Sequence, residues 1–286
     1  MACGDRNTAN GSNANNIAIG IISNATGDNG GNLAVGVAAL AQGSGPFSST
    51  IYTVGNTAIG TDSNATGNNT ASSPTSLGNT ALGAGANSSG NDSNNVALGF
   101  GAHANGSNTN NTAVGFNSVA SGPNSVAVGG QANAGGNLST AMGTNAQAQG
   151  ANSIAIGGNA AGGAGNGAFV NASAANGVAI GNGSRVNAGS PNSIAVGINN
   201  SVTGTSSGAF GSGQVVNGNG SFAIGDPNTV NGNNTFVLGD NNTVNGGNAA
   251  GQGNNIQVVG SSNTIAGPAS AAGSSVVGNN NATTIR

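Results

Sequence analysis

One short phrase returns along the chain at a fixed interval. Asn124-Ser125-Val126-Ala127-Val128-Gly129 is followed by Ser139-Thr140-Ala141-Met142-Gly143 and then by Asn152-Ser153-Ile154-Ala155-Ile156-Gly157. Gly129, Gly143 and Gly157 therefore stand 14 residues apart. After each copy comes a second, quieter phrase, seen in Ala132-Asn133-Ala134 and Ala146-Gln147-Ala148, and each closes on a glycine, Gly136 or Gly150. A fixed period with two apolar phrases per unit describes a solenoid, in which every repeat is one coil stacked on the last.

Within a phrase the side chains of an extended segment point alternately to opposite faces. The bulky apolar pairs are assigned to the core on this reading: Ile17 and Ile19, Val126 and Val128, Ile154 and Ile156. In the second phrase the position of Ala134, Val202 and Val230 is the inward one, because its neighbours are polar or small. Two short strands and two glycine-containing turns in 14 residues predict a flattened, two-sided parallel β-roll, advancing by roughly 4.8 Å per coil. A helix is excluded, since Gly and Asn are poor helix formers and no 3.6-residue periodicity is present. The alternation then leaves Ala113, Ala127, Ala141, Ala155, Ala179 and Ala195 facing outward as a stripe of small side chains. Such a stripe is expected to be a subunit interface, since small residues permit close approach of another backbone.

The period decides how the composition is read. With 55 Gly and 3% charged residues, an aperiodic chain would belong with disordered low-complexity segments. Formal net charge is −3, from three Arg and six Asp, so no basic patch exists and nucleic acid is excluded as a partner. Cys3 is the only cysteine, which leaves no disulfide framework and no thiolate metal site. No apolar run reaches the roughly 18 residues of a membrane span, and no signal peptide is visible. Residues 1–16 read as a polar lead-in and 17–286 as the roll. Longer intervals predict insertion loops near 37–56, 61–79, 158–177 and 240–255, on the surface where extra length costs little.

The phrase Asn-Ser-Val/Ile-Ala-Ile/Val-Gly with a following Ala-x-Ala-x-Gly resembles the head repeat of the trimeric autotransporter adhesins, the YadA-like family of Gram-negative bacteria. The likeness runs from about 17 to 278, and Ser275-Val276-Val277-Gly278-Asn279 is similar to the last coils of such heads. The resemblance implies a left-handed roll, three identical chains side by side, and adhesion at the bacterial cell surface, outside the outer membrane. No neck motif, heptad stalk or membrane-anchor strands are found, so the expectation is a head or passenger segment.

Chemistry is sparse in this sequence. His103 has no second His, Cys or Glu to make a metal site or a catalytic base, and no base stands ready to activate a Ser. No enzyme activity and no cofactor are expected. An ice-binding solenoid would show a regular Thr ladder, which the second phrase lacks; a structural spacer without its own ligand is the stronger alternative to adhesion. Adhesion is favoured by aromatic residues in the long intervals, which makes Phe47, Tyr52 and Phe169 the candidate ligand contacts. Matrix proteins and cell surfaces are the expected ligands.

Overall fold

A computed structural model describes residues 1–45, 54–70, 77–158, 167–245, 254–266 and 273–284. It comprises two compact units, Met1–Leu138 and Ser139–Arg286, each a parallel β-solenoid. No helix occurs among the described residues.

In the first unit the strands of the first phrase pair parallel, coil on coil, into what we call the first sheet. Ile17–Ile21 pairs with Leu33–Val37, with Ala18 beside Ala34, and Val96–Leu98 pairs with Thr112–Val114, with Ala97 beside Ala113. The second phrases form the second sheet in the same way: Asn24–Thr26 pairs with Leu40–Gln42, and Val119–Ala120 with Asn133–Ala134. The second unit repeats the plan, from Thr140–Met142 against Ile154–Ile156 to Gln257–Val259 against Ser275–Val277. Stretched intervals leave the ladder in register, since Ala34 lies beside Ala58 and Ala155 beside Ala179 across two of them.

Residues 1–16 differ from the expected polar lead-in. Ala2–Asp5 pairs with Ile17–Ile21 and Thr8–Asn10 with Asn24–Thr26, so this segment is itself a coil. Its strands carry no bulky apolar side chains, so a hydrophobic pattern does not reveal them. What forms them is the exposed edge of the next coil, whose N–H and C=O groups need partners.

The two faces of the first sheet are the reverse of the sequence expectation. Ala18, Ala113, Ala127, Ala141, Ala155, Ala179 and Ala195 are all 0% exposed, inside the roll of a single chain. Ile17 (36%), Ile19 (38%), Ile154 (38%) and Ile156 (37%) are on the outside, and Val126 and Val128 are half-exposed. The first-phrase strands are mostly three residues long and at most five, and the narrow coil takes a single side chain of each phrase inward. That side chain meets its counterpart from the second sheet, where Ala134, Val202 and Val230 are also 0% exposed. Over most of the coils a cross-section this thin holds Ala against Ala or Ala against Val, with larger apolar residues flanking it on the outer face; only the last coils bury bigger side chains on both sheets, Val237, Val244, Val258 and Ile265. The alanine stripe is thus the core, and it offers nothing to a neighbouring chain.

Two other columns hold the stack together. The turn glycines are obligatory: a Cβ on Gly20 (φ +138°) would lie 2.0 Å from the Gly36 carbonyl oxygen of the next coil, inside any possible contact. Buried asparagines form the second column. In the first unit Asn16, Asn32, Asn56, Asn79, Asn95 and Asn111 stand just before the first-sheet strands, and each Oδ1 accepts the backbone N–H of the next in the series at 2.9–3.2 Å. Their Nδ2 groups donate to turn carbonyls, as Asn95 does to Ser89 and Gly106 at 3.1 and 2.9 Å. In the second unit the column moves to the other turn, before the second sheet, as Asn200, Gln214, Asn228, Asn242, Asn263 and Asn281. Serines and Thr235 take the vacated turn: Ser207 N–H donates to Ser193 Oγ, Ser221 N–H to Ser207 Oγ, and Thr235 N–H to Ser221 Oγ.

Candidate functional site

With the core filled mainly by alanine and valine, what the protein can do is set by the outer faces of its two sheets. In the first unit, on the first sheet, two rows run parallel to the stack. One contains Ile17, Leu33, Val96 and Val126, broken by Thr57, Thr80 and Thr112; the other contains Ile19, Val35, Ile59, Leu82, Leu98, Val114 and Val128. In the second unit the corresponding rows hold Ile154, Val178, Ile194, Phe222 and Phe236, and Met142, Ile156, Ile180, Val196, Phe210, Ile224 and Leu238. Phe210 and Phe222 close over Gly208, where an added Cβ would be 2.9 Å from Phe210 and 2.6 Å from Phe222. A face this apolar, repeated coil after coil, is far more than the scattered exposed Leu or Ile of a soluble monomer.

The second sheet shows the opposite character. In the first unit its outer rows run Thr8, Asn24, Leu40, Asn64, Asn87, His103, Val119 and Asn133, and Asn10, Thr26, Gln42, Thr66 and Ser89. This is an amide and hydroxyl surface with few apolar breaks. A shallow depression of about 300 Å³ on it is lined by Gln42, Thr66, Asn68, Asn91, Ser107 and turn glycines, and none of these residues is titratable. His103 is exposed, and no cluster of three or more His, Cys, Asp or Glu suited to a metal ion exists among the described residues.

The three aromatic candidates separate. Phe47 and Tyr52 lie outside the described residues. Phe169 is not in a loop: it occupies the strand Phe169–Val170 of the second sheet, half-buried, with Val170 inward. The Arg185 guanidinium of the next coil lies over its ring, 4.6 Å from the centroid. Sequence reasoning passed over a different pair. Phe100 and Phe116 follow the turn glycines Gly99 and Gly115 on successive coils and stack at 5.7 Å with an interplanar angle of 13°, both largely exposed. Their equal position after Gly99 and Gly115, 16 residues apart, is the signal that would have found them.

No helix is long and apolar enough to cross a membrane, which says nothing of strands. No curated protein matches the chain. A family model described as the YadA head domain repeat (2 copies) matches residues 57–70, 112–132 and 134–160. Those segments carry the buried alanines Ala58, Ala113, Ala127, Ala141 and Ala155 with their outward Val, Ile, Met or Thr neighbours, which ties the family match to the same columns that build the roll. Over these segments the chain carries YadA head repeats, which supports a YadA-like head domain of the trimeric autotransporter adhesin type.

Proposed function

We propose that this head works as a homotrimer at the bacterial cell surface and attaches the cell to host matrix, to other cells or to abiotic surfaces. One observation carries the reading: the first sheet's outer face is apolar along its rows, while the second sheet's is polar. Three copies that turn their first sheets toward a shared axis would bury the Val, Ile, Leu and Phe rows and leave the polar sheets facing out. YadA head repeats belong to adhesins, which supports the surface location and the adhesive role. Each outward feature would then occur three times, so weak contacts with a repeating ligand would sum, gaining roughly 10² to 10⁴ over one contact.

The test coats surfaces with collagen, fibronectin, laminin and plain polystyrene, and measures retention of the head beside an Ile154→Asn/Ile156→Asn variant. Both side chains are on the outer rows, so the roll is expected to survive and the assembly to weaken. Retention of the parent with loss of the variant is the expected result. No retention on any surface would favour a spacer that serves only as length.

A further inference from the structure

On the second sheet of the first unit, the shallow depression lies between two polar rows that run along the stack. Gln42 and Thr66 stand on one side and Asn68, Asn91 and Ser107 on the other, with bare backbone at Gly67 and Gly90 between them. No side chain can occupy that strip, since a Cβ on Gly67 or Gly90 would lie 1.9 or 1.8 Å from the glycine carbonyl oxygen of the next coil. The backbone of the strip is already used. Gly67 and Gly90 N–H donate to the Gln42 and Thr66 carbonyls at 2.9 and 2.8 Å, and their own carbonyls accept from Asn56 and Asn79 Nδ2 at 3.0 and 2.9 Å. A peptide strand therefore finds nothing here to pair with.

The side chains beside the strip are ordered in a way that leaves donors over. Asn68 Oδ1 accepts the Ser44 N–H and Asn91 Oδ1 the Asn68 N–H, both at 2.8 Å, and Ser107 Oγ accepts the Asn91 N–H at 3.1 Å. With each oxygen tied to the preceding coil, both Nδ2 groups and the Ser107 hydroxyl proton have no partner among the described residues. The Gln42 amide and the Thr66 hydroxyl border the same depression with none either. Charge narrows what can meet them. Asp28 holds the place of Asn68 two coils earlier, where it accepts the Ser12 N–H at 2.6 Å, and Asp92 follows Asn91. The one Lys or Arg side chain of this unit, Arg6, lies in the first coil, 3.5 Å from Asp5. An anionic polymer would meet acids here and no base to hold it. We propose that this strip is a subsite for a neutral polysaccharide lying along the stack. Its oxygens accept from the Asn68 and Asn91 amides and from Ser107, and its hydroxyl protons go to Gln42 and Thr66. From the Gln42 coil to the Ser107 coil is roughly 14 Å at about 4.8 Å per coil, so the ligand is an extended chain of sugars. The inference rests on the adhesive reading and narrows its ligand class, three such subsites per assembled head adding by avidity.

Retention of the full chain in its assembled state is measured on cellulose, chitin, mannan and chondroitin sulfate, with gelatin peptides as competitor. The parent should be held by at least one of the three neutral polymers and displaced by its soluble oligosaccharide. Added salt should change this little, since no charge pair is involved. Gln42→Ala removes a side chain that holds nothing in the fold. Asn68→Asp keeps the ladder oxygen, as Asp28 does, and replaces the N–H donors. Each should lower the affinity about fivefold, the loss of one neutral hydrogen bond, and the pair more than about tenfold, with circular dichroism equal to the parent's. Retention on none of the three neutral polymers overturns the proposal, as does equal retention of the parent and the double variant. Chondroitin sulfate held as well as the neutral polymers, or displacement by gelatin peptides, overturns the assignment to a neutral glycan. Matrix adhesion measured in parallel separates the two readings: adhesion without polysaccharide binding sinks this inference alone, and no adhesion at all sinks the adhesive role.

Discussion

Ala155 and Ile156 are neighbours with opposite duties. Ala155 is fully enclosed between the sheets, while Ile156 looks outward. Ala155→Leu must force extra methylenes into a core with no room for them, and should cost about 1–3 kcal/mol, seen as an earlier urea midpoint. Ile156→Asn should keep the strand content of the fold and weaken self-association instead. An unchanged midpoint for Ala155→Leu would mean the roll is wider than three-residue strands allow. Leu138 supplies a prediction of opposite sign. It sits at φ +54° in a turn where Asn124 and Asn152 hold the equivalent positions at φ 55° and 53°, and its side chain is exposed. A bulky side chain is costly in that left-handed region, whereas asparagine tolerates it. Leu138→Asn should therefore stabilise the protein by about 0.5–1 kcal/mol, read as a higher melting temperature. A lower one would show that Leu138 packs against something.

At the scale of the coil, the asparagine column does what the apolar core cannot, because it satisfies buried backbone groups that no strand reaches. Asn95 shows the stakes: its Nδ2 donates to Ser89 and Gly106 carbonyls, and its Oδ1 accepts the Asn111 N–H at 2.9 Å and the Thr109 hydroxyl at 3.3 Å. Asn95→Ala strands those groups in a dry turn and should cost about 2–4 kcal/mol, since each unpaired buried group costs on the order of 1–3 kcal/mol. Asn91→Ala, on the solvent side of the same turn, should cost far less; equal losses in thermal melts would refute the ladder's role. The same coil explains how far the sequence could be read. Its period, two strands and glycine turns follow from spacing alone, because stacking demands that the same atoms meet in every coil. The faces of the first phrase did not follow. Val126-Ala127-Val128 alternates equally well in either direction, and hydrophobicity argues for burying the larger pair. Only the narrow cross-section, a property of the pair of sheets, reverses that choice. The second phrase has polar flanks, which leave one way to place it. The asparagine columns stayed hidden because two kinds of Asn stand close together, as in Asn13 with Asn16, Asn29 with Asn32 and Asn108 with Asn111, the first turning the chain at positive φ and the second buried. Composition cannot separate them. Arg185 over Phe169 was equally out of reach, since the two are 16 residues apart and meet only through stacking.

For the whole molecule, the reversal of faces changes what the proposed assembly must accomplish. Had the alanines been outside, contact between chains would be a close fit of small residues laid over a complete core. With the alanines inside, each roll keeps mainly Ala and Val for itself and leaves most of its larger apolar side chains, Ile154, Ile156, Ile180, Phe222 and Leu238 among them, more than a third exposed. Burial of such a residue contributes roughly 1.5–3 kcal/mol, so much of the hydrophobic stabilisation becomes available only when copies meet. Folding and assembly should then be coupled. For a trimer that unfolds to three separate chains, a tenfold rise in protein concentration adds about 0.9 kcal/mol per chain, because two-thirds of RT ln 10 enters by mass action. Thermal melts at three or more concentrations should show the midpoint climbing with concentration, and light scattering should give three times the 26.4 kDa chain mass. Ile154→Asn/Ile156→Asn should lower that mass and flatten the dependence, while its strand content by circular dichroism persists at low temperature. A concentration-independent midpoint together with the mass of one chain would leave the two apolar rows facing water, and the trimeric head would have to be abandoned.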